Sequence, residues 1–314
     1  MALPSPQRAW RQSRSRRASA RGAERVPAPF VVGVNRSGTT LLRMMLDAHP
    51  LLTIPPETHF VPDLIKAARA EQGSAAMLAA MTSNRTWADF GIDDEELRER
   101  LEQVDSGDGA GAVRAFFEIY AAKQGKPRWG DKTPAYMLSI QRIGRTLPES
   151  RFIHLIRDGR DVALSQSARA LNEQPPPAEQ AARWVKRIGK AREQAAALKG
   201  PRYVEARYED LVRDPETTLR RICEFIDLPW EEAVLDYHER AAERLTEMAG
   251  TLRAEGAHAE QAAGYRIENH APTTGPPDPA KLDKWRREMA PDDVRAYDAV
   301  AGDLLRELGY EVTT

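Results

Sequence analysis

Between Gly33 and Thr40 the sequence reads GVNRSGTT, setting an arginine, a serine and two threonines around two glycines. Arg36, Ser37, Thr39 and Thr40 thereby offer one guanidinium and three hydroxyls to a small volume. The valine-rich run from Pro29 reads as a strand, and apolar residues recur at helical spacing after Gly38. The glycine-bearing segment is therefore a tight strand-to-helix loop. Backbone N–H groups and the positive end of a helix dipole converge on one anion in such a loop. Against the nucleotide-binding pattern G-x-x-x-x-G-K-[ST], Gly33, Gly38 and Thr40 match, but Thr39 stands where lysine belongs. That lysine reaches the terminal phosphates of a triphosphate, so its replacement argues against splitting one. Arg36 supplies a cation instead, which suits a 5′-phosphate carrying one further group.

A second stretch, RFIHLIRDGRDVALS, repeats the strand, polar turn and helix plan. It sets Arg157 at a strand end and Ser165 about two helical turns on, so that a guanidinium and a hydroxyl meet at a second phosphate. Asp158, Arg160 and Asp161 read as a capped, salt-bridged helix start. Two anion positions at neighbouring strand ends imply a ligand with two phosphate-like groups.

The elements that must position these residues alternate. Helical patterns run from near Phe60, over Asp94 to Gln103, over Ala110 to Lys123, and through AARWVKRIGKAREQAAALK. PRYVEARYEDLV reads as a short strand leading into a turn, and DPETTLRRICEFIDL as a helix capped by Asp214 with Pro215 at its first position. Tyr237 to Pro279 lacks periodicity and reads as a loop or lid. A helical pair, PAKLDKWRREM and PDDVRAYDAVAGDLLRELG, closes the chain. Strands alternating with helices predict an α/β fold, a mostly parallel doubly wound sheet with helices on both faces and a P-loop-like phosphate-binding loop.

Composition bounds the rest. The 314 residues carry a net charge of −1, but residues 1–26 hold seven arginines against one glutamate, +6, which leaves −7 for the remainder. That serine-, alanine- and arginine-rich tail buries nothing and is expected to be disordered. An organelle transit peptide shares the composition, and the absence of aromatic interleaving speaks against a nucleic-acid arm. Residues 27–314 then form a single domain. No apolar run reaches the roughly 18 to 20 residues of a membrane span. The single cysteine, Cys223, excludes an internal disulfide framework and reads as a buried small hydrophobe.

In order along the chain, VNRSGTTLLRMMLDAHP, PPETHF, DKTP, RFIHLIRDGRDVALS, YEDLVRDPETTLRRICEFI and KWRREM resemble the sulfotransferases that use 3′-phosphoadenosine 5′-phosphosulfate (PAPS). Within them the likeness is nearest the tyrosylprotein sulfotransferase branch and its bacterial relatives. The resemblance implies that Arg36, Ser37, Gly38, Thr39 and Thr40 wrap the 5′-phosphosulfate, with Arg36 near the transferring group, and that Arg157 and Ser165 hold the 3′-phosphate. It implies Glu57 as catalytic base, Lys132 as the lysine on the sulfuryl and bridging oxygens, and Tyr208 beside the adenosine. His59 is a competing base whose position in that branch is associated with positioning, and His49 makes a structural hydrogen bond. PAPS is then the co-substrate and no metal is needed.

The branch that sulfates secreted proteins carries a membrane anchor and paired cysteines, and this sequence has neither. The expectation is accordingly a cytoplasmic protein without membrane or nucleic-acid partner, with a homodimer as the candidate assembly, whose acceptor is a peptide tyrosine, a phenol or alcohol, or a carbohydrate hydroxyl. Two other readings stay open. A small-molecule kinase would want the missing lysine and a strand-end aspartate for magnesium. A non-catalytic nucleotide-binding protein would keep Arg157 and Ser165 with no use for Glu57 and Lys132.

Overall fold

The computed structural model describes residues 25–71, 73–168, 175–247 and 273–313. Nearly all of the arginine-rich tail and residues 248–272 of the expected lid lie outside them. In chain order the elements are β1 (Ala28–Val32), α1 (Thr39–Asp47), β2 (Leu52–Thr53), α2 (Val61–Arg69), α3 (Gly73–Thr82), α4 (Asp94–Glu102), α5 (Gly109–Lys123), β3 (Arg128–Trp129) and β4 (Asp131–Lys132). Then follow α6 (Ile140–Thr146), β5 (Ser150–Ile156), α7 (Gly159–Ser167), α8 (Pro177–Ala196), β6 (Tyr203–Arg207), α9 (Tyr208–Arg213), α10 (Pro215–Phe225), α11 (His238–Thr246), α12 (Trp285–Glu288) and α13 (Pro291–Glu307).

The main sheet is all parallel, in the order β4-β1-β5-β6. Side chains alternate faces along a strand, and β1 divides accordingly. Phe30 and Val32 join one apolar cluster with α2, α5, α8 and α13, whereas Val31 joins another with α1, α9, α10 and α11. Helices thus cover both faces, as the continuous apolar run of β1 requires. The chain passes from β1 to β4 on one side and returns to β5 on the other. The crevice at the carboxyl ends of β1 and β5 is therefore the switch point where open α/β sheets bind ligands.

Several elements differ from the sequence reading. The two-residue strands β2 and β3 pair in a small second sheet, and α3 and α9 are helices that the sequence reading does not include. The segment expected to be a lid from Tyr237 begins as a helix, α11, because Ala241 and Leu245 bury against α1 while Arg244 enters an ion-pair cluster. The PAKLDKWRREM helix is confined to α12, preceded by a 3-10 turn, since Asp283 takes a left-handed φ of 53° that interrupts it.

Candidate active site

The loop after β1 is held by few bonds. Gly33 N–H donates to the Pro134 carbonyl and Ser37 N–H to that of Val34. Gly33 packs so closely on β5 that a Cβ would lie 2.6 Å from the Leu155 oxygen. Gly38, the N-cap of α1, has φ 87°, and a Cβ there would stand 2.2 Å from the Tyr208 ring. Arg36 is also left-handed at φ 79°, a conformation non-glycine residues enter at a cost. The loop thus turns inward over Tyr208, beneath a cavity of about 300 Å³ lined by Arg36, Gly38, Thr40, Glu57, Tyr208 and Lys281, among others.

Two groups of side chains are built around residues of this lining, one on Arg36 and Tyr208, the other on Thr40 and Glu57. On one side the Arg36 Nε donates to Ser165 Oγ at 3.1 Å, so the arginine expected at the transferring group bonds the serine expected at the other phosphate. Arg157 lies over the Tyr208 ring at 4.8 Å, donates to the carbonyls of Arg36 and Lys281, and pairs with Asp161 at 3.1 Å. Its Nε, and the hydroxyl of Ser37, are buried with no hydrogen-bond partner. Unsatisfied buried donors cost about 1–3 kcal/mol each, and here one lies in the loop after β1 and the other just past β5.

On the other side the fully buried Lys132, at the end of β4, donates to Glu57 Oε1 at 2.6 Å and to Thr40 Oγ1 at 3.3 Å. It joins the anion loop to the expected base. His59 Nε2 lies 3.0 Å from the other carboxylate oxygen of Glu57. Burial raises the affinity of Glu57 for a proton, but the Lys132 ammonium and the His59 ring outweigh it and hold the carboxyl well below the usual range. Burial pulls the Lys132 ammonium downward, against the charge of Glu57. At 2.6 Å the two groups remain an ion pair.

A buried scaffold fixes the Glu57 turn. Thr58 donates its hydroxyl to Asp131 Oδ1 at 2.7 Å and its N–H to Thr133 Oγ1 at 3.0 Å, while Val61 N–H donates to the Tyr136 hydroxyl at 2.9 Å. Asp131 is pushed up to about 7 by burial. Asp131, Tyr136 and Tyr237, the last in the cavity wall, were not foreseen as site residues. The DKTP motif that contains Asp131 was the available signal. His49 does make its structural bonds: Nδ1 accepts from Leu51 N–H and Nε2 donates to the Pro229 carbonyl at 2.8 Å. Cys223 is buried. Among the described residues no group of three or more acidic, histidine or cysteine side chains is arranged to hold a metal, and no helix is long and apolar enough to cross a membrane. A second cavity, about 420 Å³ at the amino ends of the strands, contains the paired Arg114 and Glu149 and lies away from these groups.

A parallel α/β sheet whose switch point carries a glycine loop, buried unpartnered donors, a buried lysine and a carboxylate has the architecture of the α/β class that holds ligands in that crevice. The chain belongs to the sulfotransferase family, whose model matches residues 27–232. The protein-tyrosine sulfotransferase of Drosophila melanogaster is 29% identical over 220 residues, covering 68% of this chain and 40% of its own. Protein-tyrosine sulfotransferase 1 of Danio rerio is 28% identical over 292 residues, covering 91% and 73%. The chain thus spans less than half the length of the fly relative. The fold is that of the sulfotransferase domain from the curacin biosynthetic pathway, with TM-score 0.62, 24% identity and coverage of 92% of this chain and all of that one. The corresponding domain of the Synechococcus PCC 7002 olefin synthase gives 0.55 at 24% identity, covering 93% and 98%.

Proposed function

We propose that this protein moves a sulfuryl group from PAPS to a hydroxyl acceptor. The observation that carries the reading is Lys132, buried between Thr40 of the anion loop and Glu57. A cation at that point neutralises charge growing on the departing phosphate, and a carboxylate beside it serves the acceptor's proton. Sulfuryl transfer, like phosphoryl transfer, is mostly alignment and charge stabilisation. The acceptor oxygen attacks sulfur in line, the bond from sulfur to the bridging oxygen of the 5′-phosphate breaks, and the electron pair stays on the bisphosphate. Arg157, Ser165 and the unpartnered Ser37 hydroxyl hold the two phosphate ends. Because the relatives named above act on protein tyrosine, a peptide tyrosine leads the acceptors to be tried, ahead of phenols, alcohols and carbohydrates.

Calorimetric titration with 3′-phosphoadenosine 5′-phosphate, beside ATP, tests the donor. We expect the bisphosphate to bind, ATP not to, and Arg157→Ala to weaken binding about 100-fold, as for a lost charge-assisted contact. Binding of ATP without the bisphosphate would instead favour the kinase reading.

A further inference from the structure

Asp161 stands in the first turn of α7, where a carboxylate ordinarily does no more than favour the helix start. Here it makes two further bonds. Oδ2 pairs with Arg157 Nη2 at 3.1 Å, and Oδ1 accepts the Trp285 N–H at 2.9 Å. The side chain is wholly buried and cannot turn from the guanidinium without giving up the Trp285 bond. Trp285 is itself fixed, because Arg160 lies 3.6 Å over its ring and is held in turn by Asp158 and Asp298. Arg157 does not line the cavity, but it touches three residues that do. It donates to the carbonyls of Arg36 and Lys281 and lies over the Tyr208 ring. Among the described residues, the one carboxylate paired with it is Asp161.

A buried cation needs a partner of opposite charge, and Asp161 supplies it from within the chain. A phosphate brought to Arg157 supplies it from outside and meets the Asp161 carboxylate as a like charge, in surroundings that screen little. Burial raises the proton affinity of Asp161 even beside Arg157, and the Asp158 carboxylate adds to it, so this charge is placed at a cost before a second anion arrives. We infer that Asp161 is a positioning residue that competes with the 3′-phosphate of the donor for Arg157, and so holds down the affinity of the site for the nucleotide it must release after each transfer. Product release sets the pace of many enzymes, and tight binding of the spent donor would slow it. The inference rests on the sulfuryl-transfer reading and adds to it a residue that weakens the product complex.

The test is calorimetric titration of the full chain and of Asp161→Asn with 3′-phosphoadenosine 5′-phosphate and with adenosine 5′-phosphate, which lacks the 3′ group. The amide keeps an oxygen for the Trp285 N–H and removes the charge. Asp161→Asn is expected to bind the bisphosphate about tenfold more tightly, and adenosine 5′-phosphate within about twofold of wild type. Asp278→Asn takes a charge from an exposed pair with Lys281 and is expected to shift bisphosphate binding by less than about threefold. A residue that merely supported the fold would weaken both ligands when changed. Unchanged or weaker bisphosphate binding in Asp161→Asn would therefore overturn the inference, as would equal gains for the two nucleotides. Asp161→Ser, also uncharged, carries the same expectation and takes the place of the amide variant if that does not fold. A wild-type chain that binds no bisphosphate would overturn the sulfuryl-transfer reading itself, and with it the phosphate as the competitor of Asp161.

Discussion

Gly38 shows how much a single position carries. A methyl group there would stand 2.2 Å from the Tyr208 ring and force a left-handed φ on a residue with a Cβ. Gly38→Ala should cost about 1 kcal/mol in stability and, by displacing Tyr208 and the loop, abolish calorimetric binding of the bisphosphate. Asp131 makes a different prediction. Burial raises its pKa to about 7 against an ordinary 3.8, so between those values the folded chain binds more protons than the unfolded one. Stability from this group is present at low pH and fades as pH rises towards 7. Asp131→Asn should therefore be more favourable relative to wild type at pH 8 than at pH 5, by a few kcal/mol in urea denaturation, and equal differences at both would refute it. The glycines were legible because the turn they serve is local. Asp131 was less so, because the Thr58 hydroxyl that bonds it comes from 73 positions earlier in the chain.

At the scale of elements, α11 is bound to the body by charge. Arg244 pairs with Asp47 Oδ2 at 2.8 Å and donates to the Tyr120 hydroxyl at 3.0 Å, and Tyr120 donates to Glu247, which Arg43 also meets at 3.4 Å. Asp47 is almost wholly buried. Removing one partner of a buried pair leaves the other uncompensated, at about 3–5 kcal/mol. Arg244→Ala should lower the unfolding free energy measured in urea by that much, whereas an exposed pair such as Arg183 with Glu179 should be worth under about 1 kcal/mol when Arg183 is truncated. The sequence made β1, α5, α8 and α13 legible through sustained apolar periodicity. It hid β2, β3 and α11, because two residues show no period and HERAAERLT offers few apolar positions. The charged residues that dock α11 look like a solvated face until Asp47 is placed beneath them.

For the whole molecule, two buried histidines set an acid limit. Burial lowers His49 and His154 to about 4 from an ordinary 6.5. The unfolded chain binds protons at both across that interval while the folded chain does not, so stability falls as pH drops from 6.5 to 4. Each ring contributes on the order of 3 kcal/mol, partly offset by Asp131, which acts in the opposite direction. Thermal unfolding midpoints should fall through this window, and His154→Gln should flatten the slope whatever it does to the midpoint itself. The α/β class was legible from the alternation of elements, whereas the strand order was not, because the sequence does not state which strands become neighbours. That order bears on synthesis. β1 lies between β4 and β5, and Val32 pairs with His154, 122 positions later. At about 5–20 residues per second, β1 waits roughly 6–24 s after its own synthesis for that neighbour. During that interval its unpaired edge is open to other chains, so the centre of the finished sheet is the part of the nascent chain most in need of a chaperone.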